Sequence, residues 1–180
     1  MNLYLLRHAS AGIRRVNPIL DKRRPLDKEG KQQCLQLAHV LNALKVNFDL
    51  VVSSPLKRSL QTAQLVATET GYEAQVLLST GLAPGATVVD FRKLLTEVDG
   101  HENVLLVGHS PNLQVFAGSL LSPARGEGAI VPRIRMRKGA LARIALGDAA
   151  PMLLGLIDPR VVRALYSTST KSSRRKTSRK

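Results

Sequence analysis

Short apolar runs alternate along the chain with longer segments in which apolar residues recur at helical spacing. Asn2–Leu6 is an apolar run that predicts a buried strand, and the polar stretch Ala11–Asp27, rich in Arg, Pro and Asn, predicts a long loop. Lys28–Leu44 carries Leu35, Ala38, Leu41 and Leu44 three residues apart, which predicts a helix. Phe48–Val52 reads as the next strand. Ser53-Ser54-Pro55 then suits a helix start, with a hydroxyl as N-cap and proline in the first turn. Leu60, Ala63, Val66 and Ala67 give that helix its apolar side.

Ala74–Leu78 predicts a third strand, Ala86–Val98 a third helix, and Asn103–Val107 a fourth strand between Gly100 and Gly108. Pro111 and Asn112 open a helix through Leu121. Ser122–Arg137, with Pro123, Gly126, Gly128 and Pro132, reads as irregular. Ala140–Leu146 and Met152–Ile157 predict a hairpin around Gly147-Asp148. Asp158-Pro159 begins a final short helix ending near Tyr166.

Strands alternating with helices predict an α/β fold, a three-layer sandwich around a mostly parallel sheet. Ligands of such sheets bind beyond the carboxyl ends of the strands. Three strands end there in chemically active residues: Arg7-His8, then Ser53-Ser54-Pro55-Leu56-Lys57-Arg58, then Gly108-His109-Ser110. Two histidines and two arginines on one sheet edge suit a phosphoryl group.

Composition narrows this reading without redirecting it. The 180 residues suit one domain, and no apolar run approaches the ~20 residues a membrane span needs. No signal segment is read at the N-terminus, and the lone cysteine, Cys34, is expected in the core of a cytoplasmic protein. The net charge is +14, but six basic residues lie in Ser167–Lys180, which has no acid; removing them leaves +8. The chain therefore divides into a domain at 1–166 and a basic tail at 167–180, expected to be disordered and solvated. Nucleic-acid contact by that tail is the weaker reading, because the chain has no Trp and few other aromatic residues. No membrane partner and no metal site are expected, since no His/Cys/carboxylate spacing suits a metal. His39 and His101 are read as structural or surface groups.

Leu6-Arg7-His8-Ala9, the run Ser53–Ala63 and Val107-Gly108-His109-Ser110-Pro111 resemble, in order and spacing, the three motifs of the histidine phosphatase superfamily. The chain's shortness, Arg24-Pro25-Leu26-Asp27-Lys28-Glu29-Gly30 and Gly108–Leu113 are similar to its SixA-type phosphohistidine phosphatase branch. The resemblance implies a phosphoglycerate mutase-like fold, no cofactor, and a transient phosphohistidine on His8. It implies a neutral His8 imidazole, fixed in one tautomer by a hydrogen bond to its other nitrogen. Arg7, Arg58 and His109 would surround the phosphoryl oxygens as fixed donors, completing a catalytic set of His8, Arg7, Arg58 and His109. Arg24 either joins them as a phosphate donor or only pairs with Asp21 or Asp27. Ser54 and Ser110 are expected as caps, with either hydroxyl able to reach the site.

Many members of the superfamily carry a carboxylate after the third strand to protonate the leaving oxygen. Leu77–Gly85 contains none, and Gly81 aligns with that position; Asp21 or Asp90 could substitute from elsewhere. An alkoxide leaving group needs such a proton more than a phosphoramidate nitrogen does. The expected substrate is therefore phosphohistidine on a partner protein, such as a phosphotransfer domain or a phosphocarrier. The alternatives are a small-molecule phosphomonoesterase or a non-catalytic phosphate-binding module.

Overall fold

A computed structural model describes residues 1–122 and 131–167. Six strands form one sheet: β1 (Asn2–Arg7), β2 (Leu50–Ser53), β3 (Leu77–Leu78), β4 (Asn103–Gly108), β5 (Leu141–Ala145) and β6 (Met152–Ile157), in the order β3-β2-β4-β1-β5-β6. β3, β2, β4 and β1 run parallel, whereas β5 pairs antiparallel with β1 and β6 antiparallel with β5. The helices are α1 (Pro18–Lys22), α2 (Lys28–Ala43), α3 (Lys57–Glu69), α4 (Val88–Glu97) and α5 (Asn112–Leu121), with a sixth, α6, at 159–167.

The central strands are apolar on both faces because both are covered. Successive side chains of a strand point to opposite sides. Leu3 and Leu5 of β1 therefore join Val104 and Leu106 of β4 against Phe91, Leu94, Leu113 and Phe116 of α4 and α5. Tyr4 and Leu6 join Leu105 and Val107 against Cys34, Leu37, Leu41, Ala63 and Val66 of α2 and α3. Phe91 and Phe116 stack at 4.4 Å in one layer, and Tyr4 meets Phe48 edge-on at 5.2 Å in the other. The result is the three-layer sandwich expected.

Several local expectations are corrected. α2 buries Cys34, Leu37, Ala38 and Leu41, whereas Leu35 and Leu44 face solvent. A strict three-residue step drifts around a helix of 3.6 residues per turn, so Leu35 and Leu44 leave the face that Ala38 and Leu41 share. α3 begins at Lys57 with Leu56 as N-cap and no side-chain cap bond, so neither Ser54 nor Pro55 opens it. β3 shrinks to Leu77–Leu78, since an edge strand has one partner to order it, here Val52 and Ser53 of β2. The polar loop contains α1, capped by Asn17, which accepts from Ile19 and Leu20, with Pro18 in the first turn. Residues 131–137 are irregular as expected, while 123–130 lie outside the described residues. So do residues 168–180 of the tail, and α6 runs through residue 167. No helix of the described residues is long and apolar enough to cross a membrane.

Gly30, in the first turn of α2, lies against the Ser10 carbonyl so closely that a Cβ would overlap it. That carbonyl accepts from the Asp27 backbone N–H at 3.2 Å, tying the loop after β1 to α2. Gly30→Ala gains ~1 kcal/mol of helix propensity but overpacks a backbone contact. A net loss of about 1–2 kcal/mol is expected in urea denaturation at neutral pH. Unchanged or raised stability would show that this loop is not pinned there.

Candidate active site

The parallel order of β1, β4 and β2 brings their carboxyl ends side by side. His8 follows β1 and donates its backbone N–H to Gly108 of β4 at 3.0 Å. The Ser54 backbone N–H, after β2, donates to Val107 at 2.9 Å. The expected residues from three distant segments are therefore neighbours. Arg7, His8, Arg24, Arg58, His109 and Ser110 all line one cavity of about 1340 Å³.

His8 is 6% exposed, and its Nδ1 lies 2.8 Å from the carbonyl of Ala9. Only an N–H can satisfy a carbonyl, so the proton is on Nδ1 and the lone pair is left on Nε2. The turn holding that carbonyl is pinned to α3. Thr62 Oγ1 accepts the Ala9 N–H at 3.1 Å and donates to the Arg58 carbonyl at 2.7 Å. Burial pushes the His8 pKa down to about 4, assisted by the positive charges of Arg58, Arg7 and Lys138 and opposed by the Ala9 bond. His8 is thus a neutral imidazole at pH 7, with an open nitrogen in the cavity.

His109 lies 5.0 Å from His8, ring centre to ring centre, and its Nε2 is 2.9 Å from Ser54 Oγ and 3.2 Å from Ser59 Oγ. Ser54 Oγ accepts from the Leu56 N–H at 3.4 Å, so its own proton is free for His109. With Ser54 donating to Nε2, the ring proton sits on Nδ1. Burial, with His8 and the nearby arginines, pushes the His109 pKa down to about 3. His109 therefore supplies a neutral N–H, and the fixed positive charge comes from the arginines. The Ser54 hydroxyl expected as a cap is a positioning group instead. Ser110 Oγ caps nothing; it is buried without a partner among the described residues.

Arg7 donates through Nη1 to the Met136 carbonyl at 2.9 Å. Arg58 donates through Nη1 to the Asp21 carbonyl at 3.0 Å and to its carboxylate at 3.3 Å. Burial lowers the pKa of both groups, yet a guanidinium stays charged at neutral pH. Each retains a buried Nε–H with no acceptor among the described residues. Leaving such a donor unpaired costs about 1–3 kcal/mol. Both readings of Arg24 meet here: it lines the cavity, but Nε holds Asp21 at 2.9 Å and Nη1 holds the carbonyls of Ala11 and Gly12 at 3.2 and 2.6 Å. Its pairing is with Asp21, not Asp27.

Two candidate acids are settled by their contacts. Asp21 is held below the usual carboxylate range by the Arg15 N–H, Arg24 and Arg58, so it holds no proton to give at neutral pH. Asp90 caps α4 with Thr87 on the exterior. Gly81 packs against the Asp90 backbone rather than lining the cavity. Thr80, Ala83, Pro84 and Gly85 line it instead, and none is a carboxylate. The sequence reading missed Ser59 and Thr62, although they extend the buried Ala63–Val66 face of α3 backwards at helical spacing. It also missed Lys138, in an irregular stretch that carries no such signal. Cys34 is buried with its thiol pushed up to about 12, and His39 contacts Tyr166 at the surface. His101 Nδ1 lies 3.1 Å from the Val98 carbonyl. Among the described residues no group of three or more His, Cys, Asp or Glu gathers as a metal site would need.

The family model for the histidine phosphatase superfamily (branch 1) matches residues 3–83, a span that includes Arg7, His8, Arg24 and Arg58 and ends before His109. An uncharacterized protein of Picosynechococcus sp. is 34% identical over 152 residues, covering 83% of this chain and 87% of that protein. The fold is shared with the protein histidine phosphatase SixA complexed with tungstate, at TM-score 0.77 and 22% identity over 90% of this chain and 99% of that one. A putative SixA from Agrobacterium tumefaciens matches at TM-score 0.70 and 21% identity, over 88% of this chain and 98% of that one. A putative alpha-ribazole-5'-P phosphatase from Escherichia coli matches at TM-score 0.65 and 20% identity, with the same coverages. At these identities the structural likeness is one of fold.

Surroundings that let His8 take up its proton only near pH 4 leave it neutral across the ordinary histidine range. Followed by NMR in the free enzyme, where no substrate imidazole or phosphoryl group titrates, the His8 ring is expected to stay neutral as pH falls through 6.5 and to gain its proton only near 4. An inflection near 6.5, the ordinary histidine value, would mean that His8 is not held neutral by its surroundings.

Proposed function

The chain belongs to the histidine phosphatase superfamily, and from that membership we propose that it is a phosphohistidine phosphatase acting on a partner protein. His8 Nε2 attacks phosphorus in line. A Nε2–P bond forms as the P–N bond to the substrate imidazole breaks, and the bonding electrons return to that imidazole. Its other nitrogen already carries a proton from solvent, so it leaves as neutral imidazole. Water then attacks the phosphorus on His8, the Nε2–P bond breaks, and inorganic phosphate departs with His8 restored. Arg7 and Arg58 hold the transferring oxygens with charge, and His109 adds a neutral N–H.

The observation that carries the reading is the state of the carboxylates at the cavity. Among the described residues only Asp21 and Asp27 line it. Asp21 is bound to two arginines, and Asp27 accepts from Ser10 Oγ at 2.8 Å and from the Gly30 N–H at 2.7 Å. Neither is placed to hand a proton to an alkoxide, whereas a protonated phosphoimidazole needs none. The cavity volume of about 1340 Å³ exceeds the roughly 300–1000 Å³ usual for small ligands, which suits a side chain delivered by another protein. A cytoplasmic setting, with a phosphotransfer domain or phosphocarrier as partner, is part of the same proposal. The second reading, an ester phosphatase for a small molecule, draws on fold neighbours such as the alpha-ribazole-5'-P phosphatase. A module that only binds phosphate would have no use for the fixed tautomer of His8.

General acid catalysis contributes ~10²–10⁴-fold, so a site lacking the acid should favour P–N over P–O substrates by at least ~10²-fold in kcat/KM. Rates on a phosphohistidine peptide, a phosphoserine peptide and a sugar phosphate measure this directly. His8→Ala is expected to abolish the first of these. Comparable rates on all three substrates, or full P–N activity in His8→Ala, would refute the assignment.

A further inference from the structure

We propose that a second, anion-binding cleft beside the phosphoryl pocket receives an acidic segment of the partner protein next to its phosphohistidine. This rests on the phosphohistidine reading and extends it to what flanks the reacting side chain. A cavity of about 500 Å³ adjoins the first, and both are lined by Arg7 and Lys138. The two therefore meet at Lys138 and at Arg7, the residue that would hold the phosphoryl group. Besides Arg7, the residues Arg137, Lys138, Arg160 and Arg163 form the basic part of the second cleft, which Gln32 and Gln36 of α2 also line.

The cleft's own acids leave much of this charge uncompensated. Asp158 is shared by Arg137 at 3.5 Å and Arg160 at 3.0 Å, and Glu29 pairs with Arg163 at 3.2 Å. Four cations thus face two carboxylates, and Lys138 has no ion pair among the described residues. An incoming anion gains from that surplus without having to displace a buried pair.

The remaining walls favour a polypeptide over a nucleic acid. Gln32 and Gln36 offer side-chain amides that both donate and accept, as a peptide backbone requires. Among the described residues no aromatic ring lines the cleft on which a base could stack. Ile13 and Val16, which line the phosphoryl pocket, are exposed and apolar, the kind of surface a protein partner covers. A partner spanning the phosphoryl pocket would meet apolar side chains and a basic cleft at one docking surface.

Fluorescence anisotropy at low salt, with the full chain, tests the cleft without any turnover. The probes are an unphosphorylated histidine peptide flanked by glutamates, the same peptide with glutamines, and a single-stranded oligonucleotide. The glutamate peptide should bind more tightly than the glutamine one. Arg160→Gln with Arg163→Gln should weaken it about fivefold, as two exposed ion pairs would, while leaving hydrolysis of a small phosphoramidate unchanged. Gln36→Glu, which breaks no ion pair, should weaken the same binding. Glutamate-peptide affinity unaltered in both variants would overturn the cleft. Tighter binding of the oligonucleotide, with the same dependence on Arg160 and Arg163, would overturn its assignment to a protein segment. Loss of the phosphohistidine reading would appear separately, as failure to hydrolyse any P–N substrate while these affinities keep their pattern.

Discussion

A buried imidazole surrounded by guanidinium groups stays neutral, and the chemistry of this chain depends on that. Burial and the charges of Arg58, Arg7 and Lys138 disfavour the imidazolium form of His8 by about 3 kcal/mol. Burial does most of this, and the cations that would attract a phosphoryl group add to it. The Ala9 carbonyl then decides which nitrogen is free. Thr62 fixes that carbonyl's turn to the helix carrying Arg58, so His8 and Arg58 are set by one short network. The apolar layers on both faces of the sheet hold β1 and β4 in register, and with them His8 and His109.

Gathering cations in a desolvated pocket carries its own repulsion, and Asp21 offsets part of it. Its carboxylate touches both Arg24 and Arg58 from the loop that sequence patterning left without structure. This explains how a loop residue is held within the site: α1 is short, and Asn17 and Pro18 start it by ordinary capping chemistry. It also explains why Asp21 is a poor proton donor. A carboxylate stabilised by two guanidinium groups gives up the acid role that a solitary one could take.

The sheet, the layers and the four principal residues were legible in the sequence because strand ends carry a strong signal. Arg7-His8 and Gly108-His109 are polar groups placed where apolar runs stop, and parallel pairing does the rest. What patterning missed has local physical causes. Leu35 and Leu44 were assigned to the wrong face because three-residue spacing slips against the helical turn. The start of α3 was displaced because the Ser54 hydroxyl is committed to His109, a long-range partner that no local rule anticipates. Gly81 was placed at the cavity by alignment, yet its backbone is packed under Asp90 while its neighbours form the wall. The inference drawn from a missing acid survives that shift, since the neighbours also lack a carboxylate.

The central claim is that phosphate passes through Nε2 of a neutral His8. Rapid acid-free quenching during turnover of a phosphohistidine peptide, followed by phosphorus NMR of the trapped enzyme, reads the bond directly. A phosphoryl group on Nε2 of His8, absent in His8→Ala, is the expected result. Phosphate found on Nδ1, on another residue, or not trapped at all while turnover proceeds would contradict it.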